Sequence, residues 1–103
     1  MQYLIIGRDG TDEQALERRQ AARPTHLEMC SKLCSEGKQL LAAALLDETG
    51  KMVGSVILAD FESRQELDAW LEVEPYVVGK VWESIEVTRA QVAKSFESLF
   101  VGG

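Results

Sequence analysis

Two runs in the middle of the chain, Leu40-Leu41-Ala42-Ala43-Ala44-Leu45-Leu46 and Val53-Gly54-Ser55-Val56-Ile57-Leu58-Ala59, carry almost no polar side chains. Side chains on a strand alternate between faces, so a strand with water on one side needs polar residues at every second position. These runs lack them, and any sheet they form must be covered twice. Between them, Asp47-Glu48-Thr49-Gly50-Lys51 puts glycine where a hairpin needs positive φ, so Gln39–Leu46 and Met52–Ala59 are predicted to pair as a hairpin. Tyr3-Leu4-Ile5-Ile6, inside a strand over Gln2–Arg8, is equally unbroken and predicts burial of both faces. A last strand is expected over Val81–Thr88, with Val81, Ile85 and Val87 on one face.

Helical spacing fills the gaps. After Gly7, Asp9 and Gly10, either Thr11 or Asp12 is expected to cap a helix that runs to about Glu36 and stops at Gly37. Pro24 lies within it and should kink or restart it, because proline lacks the amide hydrogen and crowds the preceding turn. Ser63-Arg64-Gln65-Glu66 reads as a capping box, serine and glutamate each satisfying the other's backbone amide. The helix it opens carries Leu67, Trp70 and Leu71 on one side and ends at Pro75. In the tail, Val92, Phe96, Leu99 and Phe100 have the spacing of a short helix, although Gly102-Gly103 and the intervening polar residues also suit a surface arm.

The order β-α-β-β-α-β is the ferredoxin-like α+β pattern, an antiparallel sheet with helices on one face. Its other face would be bare, and six or seven exposed aliphatic side chains exceed the few hundred Å² that monomers tolerate. At ~25 cal/mol per Å² such a patch contributes several kcal/mol per subunit when buried, offset in part by lost translational freedom. A homodimer with sheet packed on sheet, a dimeric α/β barrel, is the simplest expectation. The enclosed space of that dimer is where a reactive group would be expected. With 103 residues the chain suits one domain, 1–103, with a core over about 1–88 and a tail over 89–103.

Charge narrows the partners. The net charge of -6 repels phosphate backbones and anionic headgroups, so neither nucleic acid nor membrane is expected as a partner. The N-terminal apolar run is too short for a signal core or a span, and a cytoplasmic location is expected. Cys30 and Cys34 lie four apart in the helical pattern, with poor geometry for a bridge, and are read as reduced thiols.

His26 is the only histidine. On a helical wheel Leu27, Met29, Cys30, Leu33 and Cys34 fall within about 100° of it, while Glu28, Ser31, Lys32 and Ser35 take the opposite arc. The imidazole should therefore face the sheet. Continuing the wheel backwards brings Arg19 and Arg23 to the same side and predicts a cationic, partly buried corner. A core histidine that satisfies a carbonyl explains the same pattern, and arginines near Glu13 and Glu17 are also explained as solvated ion pairs. A metal site is not expected. His26 and Cys34 are about 12 Å apart along a helix axis, one ion cannot hold His26, Cys30 and Cys34 together, and no second cluster completes a site. The glycines form no phosphate-binding fingerprint.

Arg23-Pro24-Thr25-His26-Leu27, then Gly37, the apolar hairpin, Asp60-Phe61-Glu62-Ser63 and Glu74-Pro75-Tyr76-Val77, resemble the YciI-like family from Tyr3 to about Phe100. The resemblance implies a dimeric ferredoxin-like α+β barrel and a site that pairs the histidine with the acid before Pro-Tyr. Most members carry aspartate there. This chain carries Glu74, whose extra methylene moves the carboxylate by more than about an ångström and leaves direct contact with His26 open. Most relatives have no settled function, and one is implicated in dehydrochlorination of a hydroxylated aromatic ring.

Together these readings give His26 as a general acid/base, with Glu74 fixing its tautomer and stabilising the imidazolium. Histidine suits that work because its reference pKa of ~6.5 leaves both forms available near neutrality. A helix restarted at Pro24 would place His26 near a positive helix end, which favours neutral imidazole, while the carboxylate favours the charged ring. Arg19 and Arg23 are candidates to hold a substrate carboxylate or phenolate, and Tyr76 to donate a hydrogen bond or line the pocket. The expected function is a cofactor-independent enzyme of isomerase, lyase or dehydrochlorinase type, acting on a small cyclic or aromatic anion. The alternative is a non-catalytic small-ligand-binding or interaction dimer.

Overall fold

The computed structural model describes residues 1–100. Four strands, β1 (Gln2–Asp9), β2 (Gln39–Leu46), β3 (Met52–Asp60) and β4 (Trp82–Ala90), form one sheet in the order β2-β3-β1-β4. All three pairings are antiparallel. Helices α1 (Ala15–Ser35), α2 (Arg64–Val73) and α3 (Pro75–Val78) complete the βαββαβ plan. The fold is ferredoxin-like α+β.

Register explains why the strands needed apolar residues on both parities. Tyr3 pairs with Ala59 and Ile5 with Ile57, and all four are buried against Leu67, Trp70 and Tyr76 of α2 and α3. Leu4, Ile6, Val56 and Leu58 alternate with them and point the other way. Leu41, opposite Leu58, and Ala43, opposite Val56, extend that second face across β2. Among the described residues nothing covers it: the β1 and β3 residues are half-buried, and Leu41 and Ala43 are exposed. The apolar patch stops at β4, where Glu86 meets Arg8 at 4.0 Å.

Local chemistry sets the boundaries. Gly37 adopts φ +76°, with its N–H on the Cys34 carbonyl and the Lys38 N–H on that of Leu33, the paired bonds of a Schellman stop. Gly50 adopts φ +88° in the hairpin, where Asp47 Oδ1 accepts from the Thr49 N–H and hydroxyl and from the Lys51 N–H. Gly54 lies so close to β1 that a Cβ would stand 2.7 Å from the Gly7 carbonyl oxygen.

Several expectations need correction. Helix α1 begins at Ala15, four residues after Thr11 and three after Asp12: Asp12 does accept a backbone N–H, that of Gln14, while also pairing with Arg18, but the residue before the first turn is Gln14, whose side chain makes no cap. Pro24 does not restart the helix, which runs unbroken from Ala15 to Ser35. His26 thus lies mid-helix, beyond the reach of a helix-end dipole. Only half of the capping box forms: Ser63 accepts from the Glu66 N–H, whereas the Glu66 carboxylate turns to Lys38. The last strand begins one residue later and ends two residues later than expected, and Ile85 on its helix-facing side stays exposed because β4 is an edge strand. The tail forms a 3-10 segment, Lys94–Leu99, with Phe96 and Leu99 exposed and Phe100 half-buried. Gly102-Gly103 lies outside the described residues.

Candidate functional site

The site grows from the side of α1 that faces the sheet. Arg19 and His26 are two turns apart on that side, and both are buried. The wheel's outer arc of Glu28, Ser31, Lys32 and Ser35 is exposed.

Glu74 joins α2 to α3. Because Pro75 follows, Glu74 takes an extended backbone, φ -63° and ψ 125°, which ends α2 and caps α3. Its Oε1 accepts the Tyr76 N–H at 3.1 Å and also contacts His26 Nδ1. The contact that the longer side chain left open is therefore made, with Glu74 fully buried. An oxygen that already receives an amide proton acts as an acceptor toward the ring, so His26 Nδ1 carries the hydrogen. The other ring nitrogen, Nε2, lies 3.4 Å from Cys30 Sγ. Burial pushes the Cys30 thiol up to about 11, with the Glu74 charge adding to the rise, so the thiol keeps its proton and donates it to Nε2. One assignment thus satisfies the whole chain from Cys30 through His26 to Glu74.

Aromatic rings fix the plane of the imidazole. Tyr76 stacks on it with centroids 3.7 Å apart and 10° between planes. Trp82 stands edge-on at 6.3 Å. Burial raises the Tyr76 hydroxyl above its ordinary pKa, against the opposing pull of Arg19 and Arg23.

Arg19 is not a solvated partner of Glu13 or Glu17. Its Nη1 donates to both carboxylate oxygens of Asp9 at 2.9 and 3.0 Å, its Nη2 donates to Ser55 Oγ at 2.9 Å, and its guanidinium carbon sits 4.7 Å from the Tyr76 centroid. Desolvation raises the Asp9 carboxyl pKa, and the adjacent guanidinium opposes that shift. Arg23 remains exposed and makes no ion pair among the described residues. The two arginines therefore differ in kind: one is committed to a buried pair and the other is free at the rim.

Arg19, Arg23, His26, Cys30 and Tyr76 line one side of a cleft of about 190 Å³. Ala42, Ala44, Ser55 and Ile57 of β2 and β3 form its floor. The cleft lies on the helix side of the sheet, with walls from a single chain. The expectation that a second copy would enclose the reactive group is corrected here, because the uncovered apolar face is on the opposite side. Asp9, Ser55 and Trp82 were not singled out for the site. Ser55 had a readable signal, a lone hydroxyl inside an apolar strand run. Asp9 had none beyond its place at the end of β1.

Comparison with known proteins follows the same fold. The model of the YCII-related domain matches residues 1–91. The chain belongs to the YCII-related family. Protein YciI of Escherichia coli O6:H1 and that of Shigella flexneri are each 33% identical to it over 106 residues, covering 97% of this chain and all of theirs. An uncharacterised Haemophilus influenzae protein is 30% identical over the same shares. Among solved structures, 5-chloro-2-hydroxyhydroquinone dehydrochlorinase from Burkholderia phenoliruptrix, in complex with 2,5-dihydroxybenzoquinone, superposes with a TM-score of 0.76. It is 22% identical, with 88% of this chain and 94% of that one aligned, so the likeness is one of fold. No helix among the described residues is long and apolar enough to cross a membrane.

Proposed function

We propose that this YCII-related protein is a cofactor-independent enzyme in which His26 moves a proton on a small, flat, oxygenated ring. The observation that carries the reading is the orientation of the imidazole. Glu74 holds Nδ1–H from behind, so the basic lone pair sits on Nε2, on the Cys30 and cleft side. When the Cys30 thiol gives up that lone pair to the substrate and Nε2 takes a proton from a ring hydroxyl or ring carbon, the Glu74 carboxylate offsets the charge that appears on the imidazole. Returning that proton to another ring atom is an isomerisation. Losing a leaving group such as chloride instead is an elimination, with the proton retained by His26 until solvent removes it. Arg23 at the rim draws an anionic ring toward the cleft of an otherwise acidic protein. The solved neighbour was captured with 2,5-dihydroxybenzoquinone, which supports testing hydroxylated quinones first.

A homodimer belongs to the same proposal. A second copy covers the face of Leu4, Ile6, Leu41, Val56 and Leu58, which is apolar and uncovered among the described residues. Sedimentation at micromolar concentration should find two chains, and Leu58→Asp should separate them.

The Nε2–Cys30 contact favours a second reading, in which the protein binds a ring without transforming it, since the ring nitrogen is already engaged. Turnover decides between them. A panel of chlorinated and hydroxylated hydroquinones, followed by absorbance and chloride release, should give a reaction that His26→Gln slows by about 100-fold or more. Turnover that survives this change removes His26 from the chemistry. Saturable binding without turnover across the panel establishes the second reading.

A further inference from the structure

The hydroxyl of Ser55 has a constrained direction. Arg19 Nη2 lies 2.9 Å from Ser55 Oγ and Trp82 Nε1 lies 3.3 Å from it. Guanidinium and indole nitrogens donate and never accept. Ser55 therefore receives two hydrogen bonds, which use both lone pairs of its oxygen, and its own proton can go to neither neighbour. No acceptor among the described residues takes that proton. Ser55 is nonetheless a floor residue of the His26 cleft: the Trp82 ring fills the space over Gly7 on its β1 side, and the small Ala44 lines the cleft on its β2 side.

We infer that Ser55 is a substrate-binding donor that selects a ring bearing an anionic or carbonyl oxygen. Two donors, one of them charged, draw electron density from Oγ and make its O–H a stronger donor. Arg19 is neutralised by Asp9 and does not compete for that oxygen. Its part is to orient Ser55, and Trp82 does the same from the other side. A ring lying on Ala42, Ala44 and Ile57 can place one oxygen at Ser55 while an exchanging proton faces His26. Phenolates and quinones fit this arrangement, and a ring with only amino or alkyl substituents does not. The inference rests on the reading of the cleft as a ring-binding site.

The experiment has two arms. A high-resolution crystal structure of the unliganded protein should show water within hydrogen-bond distance of Ser55 Oγ on its cleft side. A hydroxyl turned instead to a backbone carbonyl overturns the inference whatever the ligand. Titration with 2,5-dihydroxybenzoquinone, followed by His26 ring NMR signals and calorimetry, should give binding that Ser55→Ala weakens by about 10- to 100-fold. Ser55→Thr, which keeps the hydroxyl, should recover most of it, and melting curves show that each variant is folded. If the quinone shifts His26 and Ser55→Ala binds it as well as wild type, Ser55 has no such role and the ring-binding reading stands. If the quinone leaves His26 unmoved, the ring-binding reading fails with it, and the selectivity assigned to Ser55 is withdrawn.

Discussion

Adding one methyl group at Gly7 tests how the site is built. A Cβ there would stand 2.5 Å from both Cγ and Cε2 of the Trp82 ring. Carbon atoms pack at about 3.5–4.0 Å, so the overlap is about an ångström or more. The strand cannot yield easily, because Gly7 is held between Ser55 of β3 and Ile85 of β4. The indole must move, and its bond to Ser55 goes with it. Overpacking of this kind costs about 1–3 kcal/mol and the lost hydrogen bond about 1, so Gly7→Ala should destabilise the protein by about 2–4 kcal/mol. Urea unfolding at a fixed protein concentration, followed by tryptophan fluorescence, measures this directly, with a melting point expected to fall by on the order of 10 °C. The cause is checked by repeating the substitution in a Trp82→Ala background, with sulfate added to keep both variants folded. Without the ring the methyl group has room, and its penalty should drop below about 1 kcal/mol. An equal penalty in both backgrounds would refute the clash.

Glu74→Gln retains an acceptor for His26 Nδ1–H and for the Tyr76 N–H, so stability should fall by less than about 1.5 kcal/mol while the Nδ1–H tautomer persists in ¹⁵N ring spectra; Glu74→Ala orphans both donors and should cost about 2–5 kcal/mol. A wild-type ring protonated on Nε2 alone would contradict the assignment. Cys30, with its thiol pushed up to about 11, should be about one-thousandth thiolate at pH 8, and its alkylation should accelerate only as pH rises towards 11. Mass spectrometry should find the exposed Cys34 modified first, and equal labelling of both thiols at pH 8 contradicts this.

The fold was legible where one residue type decides one local geometry. Gly37 and Gly50 do turn with positive φ, and the alternation of Tyr3, Ile5, Ile57 and Ala59 with Leu4, Ile6, Val56 and Leu58 follows from strand parity alone. The start of α1 and the Glu66 half of the capping box were not legible. In both, an ionic partner that the sequence does not place holds the side chain: Arg18 binds both oxygens of Asp12, one of which still takes the Gln14 N–H, and Lys38 draws Glu66 off the backbone. Pro24 misled for a related reason. Proline removes one donor, but packing of the residues on both sides of it, Arg19 and His26 included, holds the helix continuous.

The candidate site was half legible. Helical spacing placed Arg19 and His26 on one side, but it could not tell a buried arginine from a free one, because that depends on Asp9, ten residues away at the end of another element. A charge read as available for substrate is in fact consumed by the protein, which leaves Arg23 as the cation facing an incoming anion. The Glu74 contact turns on a similar point. Side-chain length alone argued against it, but the reach of a carboxylate depends also on where its backbone begins. Pro75 forces Glu74 into an extended corner between two helices, and the corner brings Tyr76 against the imidazole while the carboxylate meets Nδ1. Shortening the side chain to aspartate on this same backbone should therefore pull the carboxylate away from His26 unless the corner moves inward by a similar amount. Glu74→Asp in this chain is thus expected to lose the Nδ1–H tautomer rather than to strengthen it.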